Sequence, residues 1–134
     1  MNSIKTLIVD DHSLFRFGVR SVIENRHPDI EIVGEAATGA ECFALLKTTA
    51  VDIVLLDIAL PDISGIEIAR QLKKERPELK ILAISAENEA KTVEKMVEIG
   101  IEGFISKFNT TPDTLAEAIR TIMQDTEYFG KDMP

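Results

Sequence analysis

The chain contains no tryptophan, one tyrosine and one cysteine. A lone Cys42 cannot close an internal disulfide, which fits a reducing compartment. No basic residue stands near it in the sequence to lower its pKa, so it reads as a small buried filler. Basic residues are in deficit: 15 Lys and Arg stand against 23 Asp and Glu, a formal net charge of -8. That balance disfavours a surface that grips nucleic acid through its phosphates, which needs a basic patch. It disfavours an anionic membrane surface in the same way. No apolar run is long enough to cross a bilayer. The N-terminus carries only Lys5 before a short apolar stretch that meets Asp10 and Asp11. Neither a signal peptide nor a membrane span is expected, and the expected location is the cytoplasm. Low-complexity segments are absent as well. What remains is 134 residues, 45% of them hydrophobic, enough for one ordinary domain with a real core.

Within that domain the most informative stretch is DIVLLDIALPDISG, residues 52 to 65. An apolar run from Ile53 to Leu56 enters Asp57, and Pro61 and Gly65 then break the pattern. Such a run between turn signals predicts a fully buried strand of a parallel sheet. Four more strands follow from similar patterns: Ile4 to Val9, Ile30 to Ala36, Leu79 to Ser85 and Gly103 to Ser106. The acids Glu31 and Glu35 make the second of these suited to an edge.

Helices are predicted between the strands. The first follows His12-Ser13, which can cap it, with Leu14, Phe15, Val19, Val22 and Ile23 as its apolar side. Gly18 in its middle implies close packing or backbone approach there. The second runs from Ala37 to Thr49, with Cys42, Phe43 and Leu46 inward. The third starts at Ser64, with Glu67 completing a capping box and Ile66, Ala69 and Leu72 inward. The fourth spans Glu89 to Ile99 on Val93, Met96 and Val97, and Gly100 caps it. The last opens at Thr111-Pro112 and turns Leu115, Ala118, Ile119 and Ile122 to the sheet. The segments NRHPDIEI and KERPELKI repeat one motif: helix end, proline, strand start. Five strands alternating with five helices predict an α/β doubly wound parallel sheet, and the order 2-1-3-4-5 leaves the weak strand at an edge. Residues 1–124 would form the domain, and residues 125–134 a tail or the start of a linker, with Tyr128 and Phe129 packing locally.

Ligands collect at the carboxyl ends of the strands, where such an order reverses. There the fold would bring together Asp10, Asp11 and Asp57. Three neighbouring carboxylates repel one another, and a hard divalent ion relieves this; an all-oxygen set favours Mg2+ or Mn2+ over zinc. Ser85 ends the fourth strand with a hydroxyl and Lys107 ends the fifth with an ammonium. Acids, cation, hydroxyl and lysine together make a site for a phosphoryl group, with Asp57 best placed as nucleophile. Singly, each residue has a plainer reading. Asp10-Asp11 can stop a strand and cap a helix, Asp57 and Ser85 can serve turns, and Lys107 can be a solvated lysine.

The pieces LIVDDHSLFRFGVRSVIE, IVGEAATGAECFALL, DIVLLDIALPDISGIEIARQLK, ILAIS and GIEGFISK resemble the receiver domain of bacterial two-component response regulators. The likeness covers essentially the whole chain. It is similar in particular to receivers that precede a LuxR-type helix-turn-helix domain. The resemblance implies a flavodoxin-like receiver fold and a phosphoacceptor signalling role. Asp57 would be the phosphorylated residue. Asp11 and Asp57 would hold magnesium with the carbonyl of Ala59, and Asp10 would help place the metal, partly through water. Lys107 would pair with the carboxylate or phosphoryl group. Ser85 would be the hydroxyl switch and Phe104 the aromatic switch, which moves inward when Ser85 turns. The chain would not be an enzyme acting on other substrates; it would catalyse only its own transfer and dephosphorylation. A sensor histidine kinase would donate the phosphoryl group, and the phosphorylated protein would be a homodimer. Contact with DNA would belong to a C-terminal helix-turn-helix domain outside these residues.

Three positions depart from the common pattern. Phe108 follows Lys107 where many members have proline, Phe104 replaces a common tyrosine, and Leu60 replaces a frequent methionine. Other classes fit less well. A phosphohydrolase with a nucleophilic Asp57 would want an acid two residues on, where Ala59 stands. A flavodoxin-like cofactor binder would want a hydroxyl- and glycine-rich loop where DDHS stands. A degenerate receiver would not keep Asp10, Asp11, Asp57, Ser85 and Lys107 together.

Overall fold

The computed structural model describes residues 3–86 and 90–129. The elements alternate along the chain: β1 (Ile4–Val9), α1 (Ser13–Arg26), β2 (Ile30–Ala36), α2 (Gly39–Thr48), β3 (Ile53–Asp57), α3 (Gly65–Glu75), β4 (Lys80–Ser85), α4 (Ala90–Ile99), β5 (Gly103–Ser106), a 3-10 turn (Lys107–Asn109), α5 (Pro112–Met123) and β6 (Tyr128–Phe129). The expected start of α4 at Glu89 lies outside the described residues. The sheet is parallel throughout, in the order β2-β1-β3-β4-β5-β6. This is the expected α/β doubly wound fold with one strand more.

The additional strand corrects the expected tail. Tyr128 and Phe129 pair with Gly103 and Phe104, and the Tyr128 N–H donates to Glu102 O at 2.9 Å. The exposed edge of β5 supplies the unpaired backbone groups that a passing chain can use. Gly103 makes the approach possible, since a Cβ there would lie 2.6 Å from Tyr128 O. Residues 130–134 of the expected tail lie outside the described residues.

Side chains alternate across the sheet, so each strand serves two cores. Val54, Leu56, Ile81, Ala83 and Phe104 pack with Cys42, Leu46, Ile68, Leu72 and Met96 from α2, α3 and α4. Ile53, Leu55, Leu82, Ile84 and Ile105 pack with Val19 and Ile23 of α1 and with Leu115, Ile119 and Ile122 of α5. Burial pushes the Cys42 thiol up to about 12, in keeping with its reading as filler.

Three helix ends are set by the residues expected to set them. Ser64 Oγ accepts from Glu67 N at 3.2 Å, Thr111 Oγ1 accepts from Thr114 N at 3.1 Å, and Gly100 takes φ +95 after α4. The repeated proline motif folds the same way twice. His27 N donates to Ile23 O and Ile30 N to His27 O; Arg76 N donates to Leu72 O and Leu79 N to Arg76 O. The residue before each proline is pushed out of the helical region, which ends both helices at the same point of the motif.

Three helix-face expectations fail. Leu14 is 81% exposed and Val97 is 50% exposed, whereas Ile68, not expected inward, is fully buried. The first turn of α1 stands beside the strand tips, and α4 rests on the sheet by a narrow strip of Val93 and Met96. Gly18 is not a close-packing glycine, because a Cβ there meets nothing within 4 Å.

Candidate functional site

The carboxyl tips of β1, β3, β4 and β5 form one rim. Parallel pairing brings them level: Val9 faces Leu56, Asp57 faces Ile84, and Ser85 faces Ser106. Asp10 follows β1, and its N–H donates to Ala36 O at 2.9 Å, so the backbone at the first acid is held by β2. Arg16 of α1 donates through its guanidinium to Asp10 O and, through Nε, to Glu35 Oε1 at 3.0 Å. This positioning arginine had no sequence signal, because its partners are on other elements.

Asp57 is 2% exposed and Asp10 1%. Two buried carboxylates need partners, and Lys107 serves both. Its Nζ lies 2.8 Å from Asp10 Oδ2 and 3.3 Å from Asp57 Oδ2. The lysine is itself buried and passes over the Phe15 ring, with Nζ 4.7 Å from the centroid. Phe15, read from sequence as an ordinary apolar residue of α1, therefore also holds the ammonium by a cation–π contact. Asp57 Oδ1 accepts from Ala59 N at 3.0 Å, which fixes the carboxylate's second oxygen. Burial lifts the Asp57 carboxyl above the ordinary carboxylate range and the Asp10 charge adds to this. The Ala59 N–H and Lys107 act against it.

Asp11 is half-exposed at the mouth, and His12 beside it reaches into the same group. One ligand atom from each of Asp10, Asp11, His12 and Asp57 lies within 4.8 Å of the others. Three carboxylates facing one ammonium leave negative charge in excess, and that donor set fits a divalent cation. The expectation that His12 caps α1 through its side chain is not met; the residue holds the cap position without a side-chain cap bond.

Ser85 is buried at the tip of β4. Phe104 is fully buried among the α3 and α4 side chains, so the inward position expected only after switching is the one it already occupies. It pairs with Ala83 on one side and Phe129 on the other. Phe108, directly after Lys107, is 77% exposed.

The loop after Asp57 is shaped by two residues. Gly65 N donates to Ile58 O at 2.7 Å, and a Cβ on Gly65 would lie 2.4 Å from Ile58 Cα and 2.8 Å from Asp57 O. Asp62, which carries no local sequence signal, accepts from Gly39 N at 2.8 Å and Ala40 N at 3.0 Å and so caps α2 from outside that helix. Those two N–H groups hold its carboxyl below the usual range. A capping residue is recognised in sequence when it immediately precedes its helix; Asp62 lies more than twenty residues away.

The family model described as the response regulator receiver domain matches residues 6–120. Response regulator UvrY of Escherichia coli (strain K12) is 33% identical over 130 residues, covering 97% of this chain and 59% of that protein. Response regulator protein VraR of Staphylococcus aureus (strain Mu3 / ATCC 700698) is 34% identical over 131 residues, covering 98% and 62%. The chain thus spans about three fifths of the length of these relatives. A crystal structure of a two-component response regulator of the LuxR family from Aurantimonas sp. SI85-9A1 matches with a TM-score of 0.90 at 31% identity, covering 98% of this chain and 93% of that one.

Proposed function

Because the chain belongs to the response regulator receiver domain family, we propose that Asp57 accepts a phosphoryl group from a phosphohistidine of a sensor kinase. One observation carries this reading: Asp57 is buried at a strand tip with its Oδ2 3.3 Å from an ammonium that also holds Asp10. In the transfer an Asp57 oxygen forms a bond to phosphorus while the phosphorus–nitrogen bond of the donor imidazole breaks. The donor nitrogen leaves with the electron pair and takes a proton from solvent. Lys107 neutralises charge on the phosphoryl oxygens, and the N–H of Ala59 and the hydroxyl of Ser85 donate to them. Asp10, Asp11, Asp57 and the Ala59 carbonyl would hold Mg2+ or Mn2+. The ion, when bound, offsets the negative charge shared by carboxylates and phosphoryl group. Hydrolysis of the acyl phosphate at the same site returns the protein to its starting state.

Phosphorylation adds roughly -2 of charge at this rim. Ser85 turning toward a phosphoryl oxygen would shift the tip of β4 against β5. Phe104 and its neighbour Phe129 would carry that shift to the face of α4, β5 and α5, since packed interfaces respond in discrete steps. That face, or the one formed by α1 and α5, would then form the homodimer or meet an output domain of the helix-turn-helix type. This part would not itself bind DNA. No helix among the described residues is long and apolar enough to cross a membrane, and a cytoplasmic location suits a partner of such a kinase.

The test is labelling with acetyl phosphate and magnesium. The wild-type chain acquires an acid-labile phosphate, and Asp57→Asn does not. Unchanged labelling of that variant would show that Asp57 is not the acceptor.

A further inference from the structure

His12 is the member of the acid cluster to which the phosphoryl chemistry gives no part. It sits at the head of α1, where a side chain ordinarily turns back to cap the helix, yet makes no such bond. The ring turns instead to the strand tips. Its Nδ1 lies 2.9 Å from Lys107 Nζ, 3.1 Å from Asp10 Oδ1 and 3.3 Å from Asp11 Oδ1. Toward the lysine ammonium, which has donors and no lone pair, Nδ1 is an acceptor; toward the two carboxylate oxygens it would have to be a donor, so one nitrogen cannot satisfy all three contacts at once. A divalent ion within the 4.8 Å cluster would let the same nitrogen act as an acceptor beside those oxygens.

We propose that His12 is a nitrogen ligand of the cation pocket and biases it toward a first-row transition ion such as Mn2+ over Mg2+. This rests on reading the pocket as the receiver's metal site. Magnesium takes oxygen donors and keeps several of its waters, whereas Mn2+, which also suits carboxylate and carbonyl oxygens, accepts an imidazole nitrogen more readily than Mg2+ does. The ring is 66% exposed, so Nδ1 passes from Lys107 to a metal by a side-chain rotation without disturbing the core. Once it does, the ammonium is left to Asp10 and Asp57. The bound ion's identity would then set how Lys107 is shared when the phosphoryl group arrives.

The experiment titrates MnCl2 into the 134-residue chain, follows binding by electron paramagnetic resonance, and adds MgCl2 as competitor. Pulsed measurements on the Mn2+ complex show the nitrogen coupling of a bonded imidazole. In His12→Ala the coupling is lost and Mn2+ affinity falls on the order of tenfold, while Mg2+ affinity hardly changes. Loss of Mn2+ binding in Asp57→Asn locates the ion. Mn2+ bound at Asp57 without nitrogen coupling, or a His12→Ala variant that weakens both ions equally, overturns the role of His12 and leaves the pocket reading standing. Binding of neither ion to the wild-type chain overturns both.

Discussion

Replacing Gly65 by alanine tests how the Asp57 loop is held. The added methyl would lie 2.4 Å from Ile58 Cα and 2.8 Å from Asp57 O, both backbone atoms that cannot swing aside. Carbon atoms rest about 3.5–4.0 Å apart, so either the first turn of α3 or the loop must retreat by roughly 1 Å. Retreat stretches the 2.7 Å bond from Gly65 N to Ile58 O. Overpacking of this kind costs about 1–3 kcal/mol, and a weakened buried hydrogen bond adds about 1 kcal/mol. Against this, alanine gains up to about 1 kcal/mol over glycine in a helix. The net expectation is a loss of about 2 kcal/mol. Gly18→Ala is the control, because nothing lies within 4 Å of its Cβ and it sits inside α1; it should stabilise by about 0.5–1 kcal/mol. Both are measured by urea unfolding followed by far-UV circular dichroism, since a chain without tryptophan gives little fluorescence. Gly65→Ala should also slow labelling by acetyl phosphate, as the displaced atoms include the carbonyl of Asp57. A Gly65→Ala protein as stable as wild type would refute the reasoning, since only helix propensity would then be acting.

Three further outcomes follow from the packing and the charges. Gly103→Ala should push Tyr128 O away from β5; the Tyr128 amide would then exchange with deuterium faster and stability would fall by about 1–3 kcal/mol. Glu35 has its carboxyl held below the ordinary range, first by the Arg20 hydrogen bond and also by Arg16. A lowered carboxylate stabilises the fold above its unfolded pKa and loses that contribution as pH falls through the folded one. Arg20→Gln should therefore be less stable than wild type at neutral pH, with the gap closing as pH falls below the ordinary glutamate range. Magnesium at about ten times its dissociation constant should stabilise the wild-type chain by about 1.4 kcal/mol, seen as a raised melting temperature; Asp11→Asn should show no such rise.

Much of the fold was legible because its signals are short-range. The apolar run into Asp57, the cap at Ser64 with Glu67, the cap at Thr111 and the glycine at Gly100 each depend on residues within a few positions of one another. The sheet order followed from which strand was least apolar. The rim of acids, with Lys107 and Ser85, followed from placing strand tips at one end of that order. Leu14 and Val97 were misplaced because a helical period says which residues share a side, and not how far the sheet extends beneath it.

Sequence alone therefore determined the alternation of strands and helices, the buried parallel sheet and the gathering of Asp10, Asp11, Asp57 and Lys107 at one end. Tertiary structure decided the rest: the sixth strand on β5, the burial of Phe104, the capping of α2 by Asp62, the bracing of Lys107 by Phe15 and the turn of His12 toward the acids. Each of those rests on a pair of groups brought together from distant parts of the chain or on the space a neighbour leaves, and neither has a period or a local motif by which it could be read.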